Sequence, residues 1–199
     1  RKHYILAGIS LVFGAMPIVP FFAGESTLKI IAALCVVYLI AVYATDVFSK
    51  GKLDYTLSSS TFMGVFYIAV SFTSIVLLRG EGKYLYLLVF IGPWVSDTFA
   101  YIFGRLLGKH KLIPEVSPKK TVEGSVAGIV FAALSYVLYA FIISKNFDTT
   151  ATPNYIVMAV SGALVSIVSQ VGDLSASAVK RHFGIKDYGF IFPGHGGVM

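Results

Sequence analysis

Residues 124–144 read GSVAGIVFAALSYVLYAFIIS, twenty-one positions without an Asp, Glu, Lys or Arg. As an α-helix the stretch rises about 30 Å, the thickness of a bilayer's hydrocarbon core. Five more apolar segments of similar length flank it, at 4–23, 28–48, 57–78, 84–104 and 154–174. In hydrocarbon each backbone amide must pair within its own segment, so helices are the physical choice. The expected fold is all-α: a polytopic transmembrane helical bundle, with six spans in this chain. Tyr4, Phe22, Tyr55, Tyr84 and Tyr155 stand near span ends as interface anchors do. Pro17, Pro20 and Pro93 should kink or end helical runs.

Composition supports the bilayer as solvent. Of 199 residues, 56% are hydrophobic and 13% charged, whereas soluble domains carry about 25% charged residues. Mean hydropathy is +0.79. No cleavable leader is recognisable, because Arg1-Lys2-His3 runs directly into the first span. The chain does not begin with Met, and an N-terminal cut is expected. Cys35 is alone and inside an apolar run, so it forms no intrachain disulfide and reads as a small buried or lipid-facing residue. The net charge of +6 fits topology, anionic lipid and nucleotide phosphates rather than nucleic acid.

Lys and Arg give an orientation. With the N-terminus cytoplasmic, 12 of the 16 basic residues fall on one side and 4 on the other, a clear positive-inside bias. Both chain ends and the segments 49–56 and 105–123 then face the cytoplasm.

Spans one, three and five hold no acid. The others hold Asp46, Asp97 and Asp173. Asp46, at a span end, reads either as an interfacial residue or as functional. Asp97 lies about two turns inside the cytoplasmic end of span four, and Asp173 lies at the same end of span six. Both can face one cavity open to the cytoplasm. Intramembrane carboxylates mark function, and two of them among many cations suit a divalent metal with phosphate oxygens. Simple pairing with neighbouring cations is the other reading. Asp97, Tyr101, Gly104 and Gly108 share a helix face by their spacing, either to admit a substrate or for small-residue packing. Asp173, Ser177, Lys180 and Arg181 form a second stripe, either a metal–phosphate surface or snorkelling cations.

The 105–123 segment is long for a bundle connection. Ser117-Pro118-Lys119-Lys120-Thr121 precedes a helix expected from about Val122. Two lysines at a helix N-terminus make either an anion site or a topology anchor. No Walker A pattern occurs. Near the C-terminus, Pro193-Gly194-His195-Gly196-Gly197 offers backbone that can approach a ligand closely; His195 reads as functional or structural.

Together these motifs resemble the phosphatidate cytidylyltransferase (CDP-diacylglycerol synthase) family. The most specific part runs from Ser177 through Lys180-Arg181, Lys186-Asp187 and Gly189 to Pro193-Gly194-His195-Gly196-Gly197. Gly172-Asp173-Leu174 resembles the lead-in to that signature. So does the upstream segment of Asp97, Ala100, Tyr101, Gly104, Arg105, Gly108, Lys109, Ser117-Pro118-Lys119-Lys120-Thr121 and Glu123-Gly124. The family signature continues into an acidic motif beyond Met199, so trimming at both ends and further spans are expected of one membrane-embedded domain over 1–199.

The resemblance implies conversion of CTP and phosphatidate to CDP-diacylglycerol and pyrophosphate, in phospholipid biosynthesis. It implies metal-binding roles for both acids, Mg²⁺ at Asp173 with the acids of the motif beyond Met199, and at Asp97 either a second cation or a metal-bound water. It also implies catalytic roles for Asp173, Asp97, Lys180, Arg181 and His195. Substrate contacts are implied for Arg105, Lys109, Ser117, Lys119, Lys120, Thr121, Ser177, Lys186, Asp187, Gly194, Gly196 and Gly197. A homodimer in a bacterial inner membrane, with its active site facing the cytoplasm, completes the expectation. The alternative is a CTP-dependent polyprenol or dolichol kinase, which shares the 97–124 pattern but not the PGHGG tail. A transporter using the acids as an ion path is disfavoured, because the polar residues crowd one side.

Overall fold

In the computed structural model, residues 2–48, 55–147, 152–182 and 184–185 are described. The chain divides into two compact units, Arg1–Tyr86 and Leu87–Met199.

In the first unit, α1 (Lys2–Phe13) is followed by a 3₁₀ turn at Met16–Ile18, α2 (Pro20–Ala23), a 3₁₀ turn at Gly24–Ser26, α3 (Thr27–Phe48) and α4 (Tyr55–Glu81). The last two helices occupy the expected spans. The segment 4–23 is not one continuous helix: α1 stops at Phe13, Pro17 is the second residue of the 3₁₀ turn, and Pro20 opens α2. Proline has no N–H to donate, and its ring collides with the preceding turn, so two prolines this close break the run; Pro93, alone, does not end its helix, which continues over Leu88–Leu106. Among the described residues, five helices are therefore long and apolar enough to cross a membrane, with Tyr4–Ile18 a shorter apolar stretch. This unit packs around Tyr38, fully buried with Leu6, Met16, Val42 and Ala69. The Tyr38 ring lies 4.8 Å from Phe13 and stacks on Phe62 at 5.4 Å. Its hydroxyl shares a 3.0 Å hydrogen bond with Ser10, so one residue ties α1, α3 and α4.

The second unit is α5 (Leu88–Leu106), β1 (Lys111–Ile113), β2 (Ser117–Thr121), α6 (Val122–Asn146) and α7 (Tyr155–His182). Small residues at four-residue steps let the helices approach. α6 buries Gly124, Gly128, Ala132, Tyr136 and Ala140; α5 buries Gly92 and Ser96; α7 buries Gly162, Ser166 and Gln170. A Cβ on Gly124 would strike the Ala100 carbonyl and the Gly104 Cα. On the opposite face of α6, Val126, Val130, Leu134 and Leu138 are exposed, a stripe suited to acyl chains. Lipid supplies no hydrophobic drive between helices, so this close packing must hold them. The one large polar group in the α6 stripe is paired: Tyr136 donates its hydroxyl to the Leu88 carbonyl at 2.7 Å.

The 105–123 segment holds a small antiparallel hairpin, with Lys111 opposite Thr121 and Ile113 opposite Ser117. Its strands are charged and lack an alternating apolar face, so periodicity does not reveal them. Pro118 is tolerated because each strand of a two-stranded ribbon has a free edge. α6 starts at Val122, as expected. Thr121 caps it, its Oγ1 accepting from Gly124 N at 3.2 Å. His110 is bound to that helix start from both sides: its carbonyl accepts from Val122 N at 3.0 Å, and its Nδ1 lies 2.7 Å from Glu123 Oε1. α7 ends in a Schellman turn, Ile185 N to Lys180 O and Gly184 N to Arg181 O. Gly184 takes the left-handed φ of 65° that this turn requires.

Candidate active site

A cavity of about 500 Å³ lies within the second unit, in the size range of small-ligand sites. α5 supplies Asp97, Tyr101, Gly104 and Arg105, and Gly108 follows on. The hairpin supplies Lys111, Lys119, Lys120 and Thr121, α6 supplies Ser125, and α7 supplies Gln170 and Asp173. Four cations and two carboxylates thus share one space.

The closest charge contact joins Lys120 Nζ to Asp173 Oδ2 at 2.5 Å. The Lys120 nitrogen is shielded from solvent, and no hydrogen-bonding partner supplements that ion pair among the described residues. A shielded ammonium needs a counter-charge, and Asp173 supplies it. Asp97, from α5, lines the same cavity as this pair. Arg105 is exposed, its guanidinium 3.5 Å from the Tyr101 hydroxyl.

Below the acids the three helices are tied by uncharged polar groups. Ser96 and Ser166 share a 2.7 Å hydrogen bond. Gln170 Nε2 donates to Ser166 Oγ at 3.1 Å and to the Ser125 carbonyl at 3.2 Å, and reaches Ser96 Oγ at 3.4 Å. Ser125 Oγ donates to Gln170 Oε1.

Of the residues singled out in the sequence, Asp97, Arg105, Lys119, Lys120, Thr121 and Asp173 line this cavity. The predicted face of Asp97, Tyr101, Gly104 and Gly108 opens onto it. Lys109 and Ser117 belong to the same connection without lining the cavity, and Ser177, Lys180 and Arg181 lie further along α7, outside it. Lys186, Asp187, Gly194, His195, Gly196 and Gly197 lie outside the described residues. Sequence reasoning passed over Lys111, Ser125 and Gln170. For Gln170 the signal was present, as a lone amide inside an apolar span. Lys111 counted only toward orientation.

The donor set bears on a metal. No group of three or more His, Cys, Asp or Glu side chains converges among the described residues. Two carboxylates in a polar cavity nevertheless fit Mg²⁺, which takes one or two and completes its shell with water and substrate phosphate.

The long apolar helices define an integral membrane protein, and its second unit holds a cation-rich cavity. The cytidylyltransferase family profile matches residues 1–199, and the chain belongs to that family, which makes it a nucleotidyltransferase. It is similar to the phosphatidate cytidylyltransferase of Staphylococcus haemolyticus, 33% identical over 98% of this chain and 74% of that protein. The enzyme of the same name from Staphylococcus saprophyticus is 33% identical over 100% of this chain and 74% of its own length. That from Staphylococcus epidermidis is 37% identical over 79% of this chain and 58% of its own.

Proposed function

We propose that the cavity joins CTP to phosphatidate, giving CDP-diacylglycerol and pyrophosphate. The observation that carries this reading is the convergence of Asp97 and Asp173 with Arg105, Lys111, Lys119 and Lys120 in one cavity. The names of the relatives supply the substrates.

The phosphate of phosphatidate is largely ionised near neutral pH and needs no strong general base. One of its oxygens bonds to the α-phosphorus of CTP while the bond from that phosphorus to the bridging oxygen of the β-phosphate breaks. The electron pair leaves with pyrophosphate. The barrier lies in bringing two polyanions together and in the charge of the leaving group, so positioning and electrostatics supply the catalysis. Arg105, Lys111, Lys119 and Lys120 lower the repulsion. Lys120 is placed to take a phosphate oxygen as substrate enters. Asp97 and Asp173 are the residues that would hold Mg²⁺, which when bound neutralises charge on the phosphoryl oxygens. Lys180, Arg181, Lys186, Asp187 and the PGHGG segment with His195 enter this reading through the family signature.

The excess of Lys and Arg supports a cytoplasmic face for the hairpin, and the bacterial relatives support an inner membrane. At that depth the acyl chains stay in the bilayer while the headgroup reaches the cavity. A homodimer rests on the resemblance alone and is read by mass in detergent. Product analysis tests the reaction: with phosphatidate present, CTP should release pyrophosphate and leave the nucleotide on the lipid. Release of CDP with a newly phosphorylated lipid would make the protein a kinase instead.

A further inference from the structure

We propose that Gln170 is a positioning residue: its amide locks α7 to α5 and α6 and so sets the separation of Asp97 and Asp173. The inference deepens the proposed reaction and rests on its assignment of both acids to one metal ion.

Gln170 is only 6% exposed, and Ser96 and Ser166 are fully buried. The amide is committed to the protein on both sides. The Ser125 carbonyl can only accept, so it must face Nε2; Ser125 Oγ then donates to Oε1. Protein groups thus engage both ends of the side chain, although it borders the cavity. Its partners are placed to control the acids. Ser96 immediately precedes Asp97 on α5, and Gln170 stands three residues before Asp173, one helical turn away on α7. Gly128 leaves the room for this: a Cβ there would lie 3.2 Å from Gln170 Nε2 and 2.9 Å from the Ser96 carbonyl. Polar ties between helices in a membrane add little net stability; these reach the acids through the α5 and α7 backbone, one step further out than the partners that bond a metal's ligands directly.

The test uses the full chain in detergent or vesicles, as Gln170→Met and, with a smaller loss of packing, as Ser125→Ala. The direct readout is Mn²⁺ binding by the protein without substrate, followed by the resonance of the free ion. The second is the Mg²⁺ concentration for half-maximal turnover, set against KM for CTP at saturating Mg²⁺. Mn²⁺ affinity should fall about tenfold in Gln170→Met and less in Ser125→Ala. Half-saturating Mg²⁺ should rise in parallel, KM for CTP should hold, and excess cation should restore turnover. A residue that merely packs helices would lower Tm and leave both cation readouts alone. Mn²⁺ affinity equal to wild type in the folded variants would overturn the inference by itself. If the wild-type protein binds no Mn²⁺, the shared-metal assignment falls and takes the inference with it. Should Gln170→Met not fold, Ser125→Ala decides on the same readouts.

Discussion

Lys120 holds the tightest charge contact in the cavity, 2.5 Å from Asp173. Paired so closely, it both neutralises a carboxylate at rest and stands ready for an incoming phosphate. Lys119 and Lys120 are adjacent on β2, yet only Lys120 is seen against an acid, so the two should differ in effect. Lys120→Ala should raise KM for CTP or lower kcat by about ten- to a hundredfold, the range for a lost charge-assisted hydrogen bond. Lys119→Ala should act in the same direction and more weakly. Steady-state kinetics on both variants checks this, and unchanged values in both would reduce the hairpin to a topology anchor. At this scale the sequence was informative where chemistry is unusual for its setting. Asp97 and Asp173 stand out as charges inside apolar runs, while Ser125 does not, because a serine in a membrane helix is common and its Gln170 partner lies 45 residues away.

The elements show the same division. Long apolar runs announce their helices, and α3 through α7 lie where the hydropathy put them. The first span failed because two prolines three residues apart outweigh apolar character, a local covalent constraint the segment's hydropathy does not register. The 111–121 hairpin was hidden for a different reason: it is held by His110 against the start of α6 and not by an apolar face. Close approach of α5 and α6 at Gly124 sets where the hairpin lysines and Asp97 share the cavity. Gly124→Val should therefore lower stability in detergent by about 1–3 kcal/mol, as overpacking does, seen as a reduced Tm. Thr121→Val should remove the α6 cap for about 1 kcal/mol, with a smaller fall in Tm.

For the whole molecule, orientation decides whether the cavity can meet CTP at all. A single α6 separates the hairpin from the segment before α7. On a Cys35→Ser background, Glu115→Cys should react with a membrane-impermeant maleimide only from the cytoplasmic side, and Thr152→Cys only from the other. Labelling of Glu115→Cys from outside the cell would invert the topology. The positive-inside count makes that prediction possible from sequence; sequence also allows Asp97 and Asp173 to face one cytoplasmic cavity, whereas the place of Lys111 in it comes only with the hairpin. The most direct measurement is turnover of labelled CTP with phosphatidate by Asp97→Asn and Asp173→Asn, in vesicles where both variants keep wild-type helix content. Label transfer to lipid and pyrophosphate release should fall at least about a hundredfold in each. Transfer at the wild-type rate by either variant would contradict a reaction centre built on these two carboxylates.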